Sequence, residues 1–299
     1  MKRVGILTSG GDCQALNATM RGVGKGLYNE LGSDVEIYGF EEGYKGLIYN
    51  EYRLLTARDF SGILTRGGTI LGSSRQSFKN MRIPDENGLD KVAAMKQNYR
   101  RLDLDCLVIL GGNGTQKTAN LLSEEGLNII HLPKTIDNDI WGTDMTFGFQ
   151  SAVNIATDAL DCIHTTAASH GRVFIVEVMG HKVGWLTLNA GIAGGADIIL
   201  LPERPFDENV FLEKVAQLEK DRHNVIIAAS EGVKNKDGVM VDFIFGPAFI
   251  CDCRGESFDS LSDEQIARYT KMFRYPEHLA RLNGKLIGIP FNPQREHER

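Results

Sequence analysis

The chain reads as an α/β protein built from parallel βαβ units, and three observations predict that class. Short aliphatic runs alternate with amphipathic segments along most of the chain. Several of those runs end in glycine-rich or acidic loops. No internal repeat, low-complexity tract or Pro/Ser-rich linker interrupts the alternation. The runs at 3–8, 35–40, 106–110, 128–132, 173–178, 198–201 and 224–229 predict strands. The segments at 17–31, 89–99, 116–125, 147–169, 185–193 and 207–220 carry the apolar spacing of helices.

A chain of 299 residues, 42% hydrophobic and 24% charged, can bury a large core as one domain or two lobes. Its apolar runs are too short to span a membrane, and its first residues predict a strand rather than a signal peptide, so a cytoplasmic protein is expected. The net charge of −6 argues against nucleic acid or membrane as partner. An anionic ligand must then be held by local Arg, Lys and backbone donors. Cys13, Cys106, Cys162, Cys251 and Cys253 form no CxxC pair. Reduced, mostly buried thiols are expected rather than a metal centre.

The chemistry is concentrated at strand ends. Val4-Gly5-Ile6-Leu7-Thr8 leads into Ser9-Gly10-Gly11-Asp12 and then a helix, and Leu107 to Leu110 leads into Gly111-Gly112-Asn113-Gly114-Thr115. Glycines let backbone N–H groups approach phosphate oxygens, and the helix start adds partial positive charge. The N-terminal loop fits neither the Walker nor the dinucleotide pattern. After a third run comes His-Leu-Pro-Lys-Thr-Ile-Asp-Asn-Asp-Ile at 131–140, whose Asp137 and Asp139 fall in a turn. One carboxylate can take the proton of an attacking hydroxyl while the other orients substrate or helps hold a cation. Loops of this kind together suggest a crevice at strand C-termini, where open α/β sheets bind ligands.

These residues, in order and spacing, resemble the 6-phosphofructokinase family. The likeness runs over about residues 1–232 and adds Leu71-Gly72-Ser73-Ser74-Arg75, Met179-Gly180-His181, Gly194-Gly195-Ala196-Asp197 and Ser230-Glu231-Gly232 to the motifs above. The Pro-Lys-Thr-Ile-Asp-Asn-Asp form resembles the branch holding both ATP- and pyrophosphate-using enzymes. The resemblance implies two similar three-layer α/β/α lobes with mainly parallel sheets and the active site between them. Residues 1–140 would be the larger nucleotide-binding lobe, 141–253 the sugar-phosphate lobe, and 254–299 a divergent C-terminal segment.

It further implies ATP-dependent phosphorylation of fructose 6-phosphate at O1, with Mg²⁺, in a homodimer or homotetramer. Asp137 would be the base, with Thr135, Asp139 and His181 also catalytic. Gly11, Arg75, Gly112, Asn113, Gly114 and Thr115 would surround the nucleotide. Thr135, Ile136, Asp137, Met179, Gly180, His181 and Glu231 would meet the sugar phosphate, with Arg172 reaching into a neighbouring subunit's site. Two residues bear on the donor. Gly114 leaves room for the α-phosphate and nucleoside where pyrophosphate users commonly carry an aspartate, whereas Lys134 is shared with pyrophosphate users.

The sequence departs from the family at three places. Asn113 stands where most members have an aspartate associated with Mg²⁺, so metal contact there would run through bound water. His181 replaces the arginine of the usual Met-Gly-Arg. After Gly232 no Gly-His-x-Gln-Arg-Gly-Gly segment follows; instead come an apolar stretch at 239–253, a helical pattern at 261–273 and a polar end at 294–299. Arg254, Arg268 or Arg274 are candidate replacement cations, and weak affinity for the 6-phosphate is expected. The alternatives are a pyrophosphate-dependent enzyme, a non-catalytic binding paralogue, or a kinase of another acceptor resembling NAD kinase.

Overall fold

The computed structural model describes residues 1–222, 224–241, 279–282 and 285–288. The expected segments beyond residue 241, with Cys251, Cys253, Arg254, Arg268 and Arg274, lie outside the described residues apart from a short antiparallel pair, β10 (Leu279–Leu282) with β11 (Lys285–Gly288). The chain divides into two compact units, Met1–Ala152 and Val153–Arg299.

In the first unit, β1 (Lys2–Ser9), β2 (Val35–Phe40), β3 (Tyr52–Leu55), β4 (Cys106–Gly111), β5 (Ile129–Thr135) and β6 (Phe147–Gly148) form one sheet in the order β3-β2-β1-β4-β5-β6. All pairings are parallel except the edge pair β2/β3. Alternation along the central strands sends Ile6, Val108 and Leu110 to one face, with Leu16 and Met20 of α1 (Ala15–Leu31). It sends Leu7, Leu107 and Ile109 to the other, with residues of α2 (Tyr44–Tyr49), α3 (Lys91–Arg101) and α4 (Asn113–Glu124). Both faces are covered, which is why these strands read as continuous apolar runs.

The second unit repeats the layering on a smaller sheet. β7 (Val173–Val178), β8 (Ile198–Leu200) and β9 (Val225–Ser230) run parallel in the order β7-β9-β8. Val225, Ile227 and Ala229 pack with Phe211 and Val215 of α7 (Glu208–Arg222). Ile226 packs with Leu160 and Ala167 of α5 (Phe149–His170) and Ala190 of α6 (Trp185–Ala193). Two mainly parallel sheets with helices on their faces are thus the expected α/β class. Among the described residues no helix is long and apolar enough to cross a membrane.

Several element ends differ from the expected ones. α4 starts at Asn113 rather than Gln116, because the Gly112 carbonyl already accepts from Gln116 N (2.9 Å) and three loop residues become the first helical turn. β5 runs on to Thr135, carried past Leu132 by pairing of Pro133 with Gly111 and of Lys134 and Thr135 with β6. α2 and β3 were not expected; α2 is shorter than two turns, and β3 is an edge strand exposing Leu54. The described cysteines Cys13, Cys106 and Cys162 are free thiols. None is fully buried, and Cys162 is exposed, correcting the expectation of buried thiols; it lies two residues past buried Leu160, on another side of α5.

Candidate active site

In the first unit the candidate residues collect at the C-terminal ends of β1, β4 and β5. β1 and β4 end side by side, Ser9 opposite Gly111, so their glycine loops leave the sheet together. Gly10 has φ +90°, a left-handed turn that glycine adopts without strain. That turn is zipped to the strand-free segment carrying Arg75. Gly10 N donates to the Ser74 carbonyl (3.2 Å), Ser73 Oγ to the Gly10 carbonyl (2.6 Å), and Thr8 Oγ1 to the Gly72 carbonyl (2.9 Å). Arg75 therefore stands beside Gly11, where a Cβ would lie 4.0 Å from Arg75 Nη2.

Two buried polar residues hold this arrangement. Lys134, 6% exposed, donates from Nζ to the Gly11 carbonyl at 2.5 Å. Burial pushes its ammonium below the usual lysine value, opposed by the attraction of Cys13, Asp12 and Asp137, while Arg75 pushes further down. Asn17, fully buried, donates to the carbonyls of Arg66 (2.9 Å) and Gly67 (3.2 Å) and accepts from Ile70 N (2.8 Å). Sequence reasoning missed Asn17. The signal was available: it interrupts the apolar stripe Leu16, Met20 and Gly24 on α1, and a polar residue in such a stripe must find partners.

The first turn of α4 holds Asn113, Gly114 and Thr115, and no side chain caps it. Its leading N–H groups lack intrahelical acceptors and suit an anion. The turn is anchored from below by Tyr44, whose buried hydroxyl donates to the Thr115 carbonyl at 2.8 Å, and Thr115 Oγ1 reaches the Ser9 carbonyl at 3.3 Å. A Cβ on Gly114 would meet nothing within 4 Å. The fold itself therefore does not demand glycine there, although glycine costs a helix about 1 kcal/mol relative to alanine.

Thr135 closes β5, and its Oγ1 accepts from Asp137 N at 3.1 Å. Half-buried Ile136 lies between them, and exposed Asp139 follows. Asn113 Nδ2 donates to Asp139 Oδ2 at 2.8 Å, joining the carboxylate turn to the start of α4.

In the second unit, Met179, Gly180 and His181 leave the C-terminal end of β7. Gly180 (φ +151°) and His181 (φ +50°) bend the chain sharply, and Val183 N closes the turn on the Gly180 carbonyl at 3.0 Å. Glu231, just past β9, accepts from both Gly180 N (3.2 Å) and His181 N (2.6 Å). Gly232 is required by close approach, since a Cβ there would sit 1.8 Å from the His181 carbonyl oxygen. Glu203, another residue missed in the sequence, accepts from Gly184 N at 2.8 Å at the start of α6.

Arg172 is not with this group. It precedes the first residue of β7, while Met179 follows the last, so the strand separates them by about 20 Å.

Glycine loops, an uncapped helix start and a paired-carboxylate turn thus gather at the ends of parallel strands in an α/β protein. The phosphofructokinase family profile matches residues 3–277, and the chain belongs to that family. It is 56% identical over 241 residues to the ATP-dependent 6-phosphofructokinase of Spirochaeta thermophila, a match covering 78% of this chain and 64% of that relative. The chain thus spans less than two thirds of that relative's length. Among solved structures it resembles the phosphofructokinase of Saccharomyces cerevisiae (TM-score 0.70, 31% identity, 80% of this chain and 35% of that one). It also resembles the pyrophosphate-dependent phosphofructokinase of Marinobacter aquaeolei (TM-score 0.66, 25% identity, 79% of this chain and 62% of that one).

Proposed function

We propose that this protein transfers the terminal phosphoryl group of ATP to O1 of fructose 6-phosphate, as a glycolytic 6-phosphofructokinase. The observation that carries the reading is the 2.8 Å bond from Asn113 to Asp139, which fixes a carboxylate turn against an uncapped helix start. A base and a phosphate cradle are then parts of one rigid arrangement. Asp137 accepts the proton of the sugar O1 hydroxyl as that oxygen forms its bond to the terminal phosphorus, and ADP leaves with the cleaved bond's electrons. The N–H groups of Asn113, Gly114 and Thr115, with Gly11, Gly112 and Arg75, hold the donor's phosphates. Thr135 orients Asp137 through its backbone amide. Met179, Gly180, His181 and Glu231, together with Thr135 and Ile136, bind fructose 6-phosphate. Arg172, at the opposite end of β7 from Met179, serves the site of a neighbouring subunit in a homodimer or homotetramer.

Among the described residues no group of three His, Cys, Asp or Glu side chains is placed to cage a metal. Mg²⁺ commonly keeps several waters and binds through one or two carboxylates plus substrate phosphates. Asp139, a hard carboxylate donor two residues from the base, fits that mode, and Asn113 would contribute through bound water. The ion would neutralise charge on the phosphates.

The donor reading rests on Gly114, which leaves open space at the helix start; Lys134, the residue shared with pyrophosphate users, has its ammonium engaged by the Gly11 carbonyl. The deciding experiment measures fructose 1,6-bisphosphate formation with Mg²⁺ and either ATP or pyrophosphate, with Asp137→Ala as control. Turnover with ATP that falls by about 10²-fold or more in the variant supports the proposal. Turnover with pyrophosphate alone reverses the donor assignment; none with either donor overturns the proposal, and a panel of other acceptors then separates a kinase of another substrate from a binding paralogue.

A further inference from the structure

Asn138 sits between the two aspartates, and nothing in the reading above gives it a task. Its backbone is left-handed, φ +54°, a conformation that asparagine tolerates better than other residues bearing a Cβ. Its side chain spans the loop that follows: Oδ1 accepts from Thr146 N at 2.9 Å, and Nδ2 donates to the Asp144 carbonyl at 3.2 Å. Thr146, 2% exposed, then donates from Oγ1 to the Thr135 carbonyl at 2.8 Å. Thr135 Oγ1 in turn accepts from Asp137 N. The bonds form a closed circuit, Asn138 to Thr146 to Thr135 to Asp137, around the carboxylate turn.

Packing contributes less to closing this loop. Ile140 is buried, but Trp141 is 95% exposed and Met145 54%. The side-chain amide of Asn138 is therefore the main tie across 138–146. Beyond Thr146 the chain enters β6, paired with Lys134 and Thr135, so any slip of the loop is transmitted to the end of β5.

We infer that Asn138 is a positioning residue: its left-handed backbone and its side-chain amide together aim the carboxylates of Asp137 and Asp139. The inference rests on the phosphoryl-transfer reading and adds to it a residue that touches neither substrate.

The test compares Asn138→Ala, Asn138→Gly and Asn138→Asp in the full-length protein. Ala loses both the backbone preference and the two bonds. Gly keeps the backbone and loses the bonds. Asp keeps the backbone and an oxygen for Thr146 N. Steady-state kinetics should show kcat falling about 10²-fold in Ala, with KM for both substrates within about threefold. Gly should recover only part of the loss and Asp more than Gly. Amide hydrogen exchange over 135–146 should accelerate in Ala and Gly but stay near the parent rate in Asp. A kcat within about threefold of the parent in Ala, or full recovery in Gly, overturns the role of the side chain. So does a change in KM alone. If Ala does not fold, Gly and Asp carry the comparison. If the parent phosphorylates no acceptor, the function reading fails, and exchange still decides: unchanged rates at 135–146 overturn the inference, and accelerated rates sustain its geometric part.

Discussion

Placing a carboxylate at position 114 separates what the fold needs from what the donor needs. Gly114 is the second residue of α4, and an added Cβ there meets nothing within 4 Å, so the backbone has room for Gly114→Asp. Replacing a helical glycine recovers a few tenths of a kcal/mol, and a negative charge in the first turn adds about 0.3–1 kcal/mol through the helix dipole. The variant should be more stable by about 0.5–1 kcal/mol, raising the melting temperature by about 1–3 °C. In the proposed donor site the same carboxylate would face the donor's phosphates. At about 4 Å two like charges repel by about 1 kcal/mol in water and about 4 kcal/mol near a protein surface. Position 114 is solvent-exposed, so about 2 kcal/mol is the working figure, a loss of about 30-fold in kcat/KM for ATP. Pyrophosphate, which has no nucleoside to accommodate, should lose less. Thermal melts and donor-varied steady-state kinetics on the same preparation read both effects. A stabilised variant whose kcat/KM for ATP stays within about threefold of the parent would refute the reasoning.

Lys134 yields a pH dependence with a definite sign. Burial lowers its folded-state pKa below 10.5, so the unfolded chain binds more protons between that depressed value and 10.5, and Lys134's contribution to stability rises with pH over that window. Measured in a Cys13→Ala background, the stability difference between Lys134 and Lys134→Met should therefore grow as pH rises toward 10.5, by about 1.4 kcal/mol per pH unit of depression; a difference flat with pH removes the claim. Glu231→Ala strips the acceptor from Gly180 N and His181 N, which should cost about 1–3 kcal/mol of stability and raise KM for fructose 6-phosphate. Glu231→Gln keeps an oxygen in place and should lose clearly less by both urea unfolding and kinetics, so equal losses in the two would show that charge, not turn support, is what matters. Size-exclusion chromatography showing only monomers would remove the proposed shared-site role of Arg172.

Much of the fold was legible because its causes are local. Two-sided burial leaves aliphatic runs at β1, β4 and β9, and one-sided burial leaves apolar stripes on α1 and α4. Element ends were less legible because partners fix them. β5 outruns its aliphatic run only because Gly111 and β6 lie alongside Pro133, Lys134 and Thr135. The glycines at 111 and 112 read as a loop, yet the helix claims Asn113 onward once Gly112 can cap it.

The same division holds at the site. Motif order singled out Asp137, the 112–115 loop, the Met-Gly-His turn and Glu231 as candidates, through the family resemblance those motifs carry. The sequence by itself determined the α/β class and the family. Tertiary structure alone decided which polar groups hold the others still. Asn17 ties down the segment that precedes Arg75, Lys134 turns to the Gly11 carbonyl, Asn138 closes on Thr146, and Glu231 grips two amides fifty or so residues away. These bonds join residues far apart in the chain or across a loop, and a buried polar group takes whichever partner the fold brings within about 3 Å. Local sequence shows that such a group needs a partner; only the packed chain shows which one it has.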